Sequence, residues 1–309
     1  MKLNTIKITW IFLLMLIFAG ACLSEGNETV ILETETFVQT SLPVETVTLV
    51  SPSFIPSITH TQTPLPTLSE DEKLTLSKRL LTTNADCKLP CWWGFTPGET
   101  KWEDARRFLE TLAILFHPIE REDDILIEVK FPVSEEFNPS AAEFPGPGIL
   151  YNDYYIKDGI IEAIEVDVGL AHTYDLPILL EEYGQPDEVY IDTHPESVQG
   201  DLPFGIFVYY KHHGIFSYYE VQGSELGDEI QGCFVNESVV FMVLWPPDKE
   251  WSIIEVSKRV DFHFAAYGYT YLLEEVTDMD EESFYQKYKG TTEPICITVP
   301  REPFYYRNE

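Results

Sequence analysis

The stretch Asp86–Gly98, with the sequence DCKLPCWWGFTPG, decides how the folded part of this chain begins. It places two cysteines and two adjacent tryptophans directly before an amphipathic segment. Thr100 and the glutamate at position 103 match the capping box that starts many helices. We therefore predict a helix from Lys101 to about Phe116. Its apolar face is predicted to comprise Trp102, Ala105, Phe108, Leu109 and Leu112.

Upstream, the helical pattern begins near Glu70, and Glu72–Leu81 is predicted to be a short amphipathic helix. Trp92 and Trp93, which lie between a cysteine and a helix cap, are expected to plug the end of the core. Stacking of a ligand on these rings is the functional alternative.

Downstream of the second helix, short runs of alternating apolar and polar residues predict antiparallel strands. Ile125–Phe131 is the first run, and the Pro/Gly-rich segment 132–148 after it is predicted to be a loop. Ile149–Ile156 and Ile160–Val168 then flank Lys157-Asp158-Gly159, a strong hairpin signal.

The same order then starts again. Asp175 is expected to cap a helix with Pro177 in its first turn, and Gly184 is expected to end it. Near the C-terminus, 277–279 lead into another short helix that Gly290 closes. Strands are predicted at Glu188–Asp192, Phe204–Tyr210, Ile215–Val221, Ile230–Val235 and Val239–Trp245. The second and third of these are expected to form a hairpin around Lys211-His212-His213-Gly214.

These patterns predict an α+β fold in which a helix is followed by antiparallel sheet, twice. We expect two related modules, 70–170 and 171–309, packed together, although the two halves show no sequence repetition. The last segment, which contains Cys296, is expected to be irregular or a final strand.

The N-terminus predicts where the protein resides. Lys2 and Lys7 precede an apolar run too short to span a bilayer, which is typical of a signal peptide over residues 1–21. The small residues that end the run, followed by Cys22, resemble a bacterial lipobox, so we expect Cys22 to carry a lipid. Residues 22–69 are rich in Thr, Ser and Pro and are expected to form a disordered tether. These features predict an exported protein anchored to the outer face of the cell membrane or to the outer membrane.

Cysteine counting agrees with this location. The chain has five cysteines, and thiols of exported domains tend to pair. If Cys22 carries lipid, the other four form two disulfides. Three pairings are open to them, and we expect Cys87–Cys91 and Cys233–Cys296.

The charge of the chain restricts its partners. The formal net charge is −32, from 20 Lys+Arg against 52 Asp+Glu. Such a surface repels phosphate backbones and anionic lipid, which argues against nucleic-acid binding and against electrostatic docking on membranes. A cationic partner suits it, although acidity also simply keeps exported proteins soluble.

The block Asp86–Gly98 and the segment Leu179–Val189, LLEEYGQPDEV, resemble a set of uncharacterised bacterial lipoproteins. That family shares a D-C-x-L-P-C-W-W-G-x-x-P-G core and a later L-L-x-x-Y-G-x-P-D-x-V segment, and it implies no known activity. A weaker resemblance is to the small BamE/SmpA-type lipoprotein module, which serves as an interaction module in envelope assembly. In that case only the helix–turn–strand order matches, so its function does not transfer.

Doubled tyrosines supply the candidate binding residues. Neighbouring residues of a strand point to opposite faces, so one tyrosine of each pair would form an exposed row if helices cover only one face. Such a row suits a partner protein or a sugar. The candidate binding face comprises Tyr209, Tyr210, Tyr218 and Tyr219, and further pairs occur at Tyr154-Tyr155 and Tyr305-Tyr306.

Catalytic and metal motifs are lacking in the sequence. The chain has no G-x-S-x-G, H-E-x-x-H, P-loop or C-x-x-C motif, and its histidines share no ligand spacing. Asp278, Asp280 and Glu282 resemble the start of a calcium loop, but Ser283 and Lys289 occupy positions that require Gly and Glu, so helix capping is expected. We therefore predict no cofactor and no metal.

The sequence thus favours a non-catalytic binding module that recognises an envelope protein or a glycan. The alternative is a secreted polysaccharide-active hydrolase that uses carboxylates which the sequence does not identify. Two carboxyls facing each other in a deep cleft would favour the hydrolase, and an exposed aromatic sheet face would favour the binding module.

Overall fold

Helices pack against a large antiparallel sheet, which gives the chain the predicted α+β fold. The structure, a computed structural model, describes residues 67–121, 124–193, 202–234, 239–259 and 269–305. The predicted signal peptide, Cys22 and all but the last residues of the predicted tether lie outside these ranges, as does Tyr306. No helix within the described ranges is both long enough and apolar enough to span a membrane.

The helices and the strands are numbered separately, each in the order of the chain. The helices are α1 (Glu70–Thr83), α2 (Trp102–Leu112), α3 (Leu176–Tyr183), α4 (Ile253–Arg259), α5 (Leu273–Val276), α6 (Glu281–Tyr288) and α7 (Glu302–Tyr305). The strands are β1 (Leu115–Glu120), β2 (Ile125–Val133), β3 (Gly148–Lys157), β4 (Ile160–Val166), β5 (Glu188–Thr193), β6 (Pro203–Tyr210), β7 (Ile215–Gln222), β8 (Ser224–Leu226), β9 (Glu229–Phe234), β10 (Phe241–Leu244), β11 (Thr270–Leu272) and β12 (Ile295–Pro300).

The large sheet has the strand order β1-β2-β3-β4-β10-β7-β6-β5-β11, and its neighbours are antiparallel. Strands β12, β9 and β8 form a separate three-stranded sheet. Each half of the large sheet is a helix followed by antiparallel strands: α2 with β1–β4, and α3 with β5, β6, β7 and β10. The halves meet where β10 pairs with β4, so the two predicted modules share one sheet.

Each face of the large sheet supports its own core. On the first face, α1, α2, α3, α5 and α6 pack against the sheet together with apolar residues of the small sheet, such as Ile230 and Ile295. On the second face, Phe207, Tyr209, Phe216 and Tyr218 pack with residues of α4 and the segment that precedes it. The second core is the smaller one, and it spans only part of the sheet.

The predicted helix from Lys101 to about Phe116 begins within one residue of the prediction but ends too late, and its predicted cap is wrong. Helix α2 stops at Leu112, and Leu115–Glu120 forms the edge strand β1, which pairs with β2. Pro118 cannot continue a helix, and it disfavours helical backbone in the residue before it. The predicted capping box at Thr100 is absent, because the Thr100 hydroxyl instead accepts a hydrogen bond from the backbone N–H of Thr96 at 2.8 Å.

Most other elements agree with the predictions to within a few residues. Both hairpins form, with Asp158 and Gly159 at φ values of 52° and 77° in the first and Gly214 at 66° in the second. Asp280 caps α6 by accepting from the N–H of Ser283 at 2.8 Å, which confirms helix capping there. At α3 the expected cap is only positional: Asp175 precedes the helix, but its side chain makes no capping hydrogen bond and lies 3.1 Å from the His172 ring nitrogen.

The stretch Asp86–Gly98 packs into the core as predicted. Trp92 and Trp93 are buried, with ring centroids 5.3 Å apart, and the ring of Trp93 meets Phe131 edge-on. Cys87 pairs with Cys91, and Cys233 pairs with Cys296 directly across β9 and β12. This is the expected connectivity, and β12 shows that the C-terminal segment is a strand.

Candidate binding face

The predicted exposed row of tyrosines is wrong for the two pairs on β6 and β7. Tyr209, Tyr210, Tyr218 and Tyr219 are all buried, with at most 8% of any of them exposed. The alternation itself is as expected, because Tyr210 and Tyr219 face the first core and Tyr209 and Tyr218 face the second. The expectation fails because both faces of this half of the sheet are covered.

Aromatic residues and α4 form that second cover. The ring of Tyr209 stacks on Trp245 at 5.8 Å, and its hydroxyl donates to the backbone oxygen of Trp251. Ile253 and Val256 of α4 pack in the same core. On the first face, Tyr219 donates to the Tyr174 carbonyl at 2.9 Å. These tyrosines therefore serve as core residues that satisfy their hydroxyls internally.

The same second face is open on most of the other half of the sheet, over β1–β4, although Tyr155 of β3 and Ala163 of β4 still belong to the second core. Leu115, Ile119 and Tyr151 on this side are 47%, 39% and 44% exposed. The strand pairing places opposite residues on one face, so the set can be read from the register. We call it the open face, and it comprises Leu115, His117, Ile119, Leu126, Glu128, Lys130, Ile149, Tyr151, Asp153 and Glu165.

Three carboxylates cross the open face in register. Asp153 of β3 lies directly opposite Glu128 of β2 and directly opposite Glu165 of β4. Opposite side chains of antiparallel strands have Cβ atoms about 4.5–5.5 Å apart, so Asp153 has an acidic neighbour on each side. Glu128 also lies 3.2 Å from the ammonium of Lys130, and Glu165 accepts from the Tyr155 hydroxyl at 3.3 Å.

Asp153 has the most perturbed surroundings of the three. Burial, followed by the charge of Glu128, raises the pKa of Asp153 to about 6, against a smaller opposing effect of Lys130. Its Oδ1 atom is inaccessible to solvent and has no hydrogen-bond partner in the described part of the chain. A carboxylate without a partner is costly to bury, so this position favours the protonated form.

A fourth acid lies at the margin of the open face. Burial raises the pKa of Asp167 to about 6, although the backbone N–H of Gly169 donates to its Oδ1 at 2.9 Å. Burial and the charges of Asp167, Glu165, Asp153 and Glu128 together raise the pKa of Tyr151. The exposed tyrosine therefore stands within an acidic field and is flanked by aliphatic side chains.

This arrangement has the chemistry of a docking surface. Exposed leucine and isoleucine lie beside buried or half-buried carboxylates on a sheet face.

Within the described residues, no group of three or more His, Cys, Asp or Glu side chains is placed to hold a metal ion. A groove of about 410 Å³ lies elsewhere, along α1, where Leu68, Leu76 and Arg79 contribute to its lining.

Sequence reasoning missed the carboxylates of the open face, although a signal for them was present. The alternation in Ile125–Phe131 separates Leu126, Glu128 and Lys130 from the apolar residues that face the core. The Asp158-Gly159 turn then brings β3 and β4 into a register that sets Asp153 opposite Glu165. The sequence pattern does not indicate which parts of each sheet face are covered by other elements.

Comparisons with protein-family models, with curated proteins and with solved structures found no match for this chain.

Proposed function

We propose that this protein is a surface-tethered, extracytoplasmic lipoprotein whose folded part is a non-catalytic binding module. In this proposal Cys22 carries the lipid, residues 22–69 act as a spacer, and the open face contacts the partner. The partner is an envelope protein or a glycan, and the net charge of −32 argues against nucleic acid.

The open face is the observation that carries this proposal. Soluble proteins usually cover sheet faces that bear leucine, isoleucine and tyrosine, and contiguous exposed apolar surface often marks an interaction site. The second face is covered over β6 and β7 by α4 and the tryptophans, whereas over β1–β4 it leaves Leu115, Ile119 and Tyr151 exposed. A partner that occupies this half would complete the cover.

The cysteines support the proposed location. Cys87–Cys91 and Cys233–Cys296 form pairs, so four of the five cysteines of the sequence are accounted for. The remaining one is Cys22, at the position that the lipobox resemblance assigns to lipid. Disulfides persist in oxidising, extracytoplasmic surroundings, which agrees with export.

Site-specific photo-crosslinking tests the binding module. A benzophenone side chain placed at Tyr151 should form a discrete adduct with envelope material from the producing bacterium. The matched control places it at Leu226, which is 51% exposed on the small sheet. Adducts at both positions, or at neither, would contradict a binding role of the open face.

A hydrolase is the second candidate, and Asp153 is the observation that favours it. A carboxyl with a pKa near 6 between two other carboxyls has the properties of a general acid beside a base. Release of reducing sugar from polysaccharide, lost in Asp153→Asn, would support the hydrolase over the binding module.

A further inference from the structure

We propose that the open face docks a basic amphipathic segment of a partner protein, in which lysine or arginine side chains alternate with apolar ones. This inference rests on the proposed binding module and specifies the chemistry of its partner. It follows from the charges, the apolar surface and the edge strand of this half of the sheet, taken in turn.

The charges of the open face are unbalanced. Glu128, Asp153 and Glu165 lie side by side across three strands, and Lys130 forms an ion pair with the first of them. Tyr155 donates a hydrogen bond to the third. Asp153 lies between them with one buried oxygen that has no partner in the described residues. A basic side chain that packs over the three would offset their negative charge in a half-buried site, where such pairs contribute more than at a fully exposed surface.

The apolar surface excludes a purely ionic ligand. Leu115 and Ile119 lie on β1 at one side of the carboxylates, and the 57% exposed Ile149 lies on β3. A small polyamine or free cation would leave these side chains in water. An anionic lipid surface would be repelled by the carboxylates, so a peptide segment that carries both apolar and basic residues fits best.

The edge strand indicates how the segment is held. Strand β1 forms the edge of the sheet, and Pro118 in its centre lacks a backbone N–H. Proline on an edge strand obstructs the pairing of a further strand. We therefore expect docking through side chains on the face rather than extension of the sheet by the partner.

The test uses a defined probe, the acetylated and amidated peptide (Leu-Lys)4, titrated into the purified full-length protein in about 150 mM NaCl. The variant E128Q/E165Q should raise its dissociation constant about tenfold. The matched control E103Q/E274Q removes the same charge from exposed positions on α2 and α5 and should change it less than twofold. Glutamine can keep the hydrogen bond from Tyr155, and thermal melting checks that both variants fold.

A second set of measurements tests the contribution of the apolar residues. It remains informative if the variant E128Q/E165Q does not fold. Leu115→Asn should weaken the peptide about tenfold, whereas Leu226→Asn on the small sheet should not. A (Ser-Lys)4 peptide should bind wild type about tenfold more weakly than (Leu-Lys)4.

Equal weakening by the face and control variants would show only general attraction to an acidic protein and would overturn the proposal. Unchanged binding in the face variants would also overturn it. If adducts still form at Tyr151, the binding module stands and only the partner class is wrong. If they do not form, both proposals fail.

Discussion

Asn84 is predicted to be the residue on which the disulfide loop depends most. It ends α1 with a φ of 49°, in the left-handed region, and only 5% of it is exposed. Its amide nitrogen donates to the carbonyls of Cys87 and Cys91 at 2.9 and 2.8 Å, and its amide oxygen accepts from the N–H of Trp93 at 2.8 Å. One side chain thus holds the backbone at three points around the loop.

The loss of stability caused by Asn84→Ala can be estimated from these contacts. Leaving the buried N–H of Trp93 without a partner costs about 1–3 kcal/mol, and the two half-buried carbonyls add about 0.5–1 kcal/mol each. Alanine in the left-handed region costs about 1 kcal/mol more than asparagine or glycine. We therefore expect Asn84→Ala to lower the free energy of unfolding by about 3–6 kcal/mol.

Two companion variants separate the contributions. Asn84→Gly tolerates the backbone angle, so it should cost about 1 kcal/mol less than alanine while losing the same hydrogen bonds. Asn84→Asp keeps an acceptor for Trp93 but directs a second oxygen at the carbonyls of Cys87 and Cys91, so it should cost at least as much as alanine.

Urea unfolding under oxidising conditions gives the free energies, and Asp86→Asn on the exposed side of the same turn is the control. An Asn84→Ala variant within 1 kcal/mol of wild type would refute this account. It would show that the disulfide and the tryptophans hold the loop without the amide.

Further predictions concern the anchor, the disulfides, the spacer and the buried acid. Fatty-acid labelling of cells should mark wild type and not Cys22→Ala, and equal labelling of both would exclude lipidation. Non-reducing peptide mapping should recover Cys233–Cys296, and its removal should cost about 4 kcal/mol on the chain-entropy account, since it closes a loop over a sequence separation of 63. A chain that starts at Thr67 keeps the cap of α1 and should melt within a few degrees of one that starts at residue 23, whereas a larger drop would show that the spacer docks on the domain. The pKa of Asp153 is raised from its ordinary 3.8 to about 6, so the folded state holds a proton that the unfolded state has lost between these values, and stability falls as pH rises through this window. Asp153→Asn should therefore be more stable than wild type by about 1–2 kcal/mol at pH 7.5, with the gain shrinking toward pH 4, and a destabilised variant at pH 7.5 would contradict the raised pKa.

Much of the fold was predictable because its signals are local. The turns at Asp158-Gly159 and Gly214 require positive φ, and both hairpins form at those positions. Strand β1 was missed because Phe116 continues the helical spacing of α2, and what decides the segment is its pairing with β2. A strand that depends on a neighbour distant in sequence leaves a weaker local pattern than a hairpin does.

The candidate site was less predictable, because exposure is a property of the whole fold. The alternation of Tyr209 and Tyr210 correctly assigned them to opposite faces, but it carried no information on what covers each face. The second face is covered by Trp245, Trp251 and α4, which lie tens of residues after Tyr210 in the chain. Their sequence does not indicate which face of the sheet they pack against. Such a cover can be recognised only once the sheet order is known.

The strand order also explains why the open face lies on the first half of the sheet. Strand β10 inserts between β4 and β7, and the chain that leaves it supplies Trp245, Trp251 and then α4 to the second face. These short connections keep the cover over β7 and β6, next to β10. Strands β1–β3 lie on the opposite side of β4, and in the described part of the chain no helix joins the second core there. The exposure of Leu115, Ile119 and Tyr151 thus follows from where β10 enters the sheet, and a binding surface at that place needs no local motif.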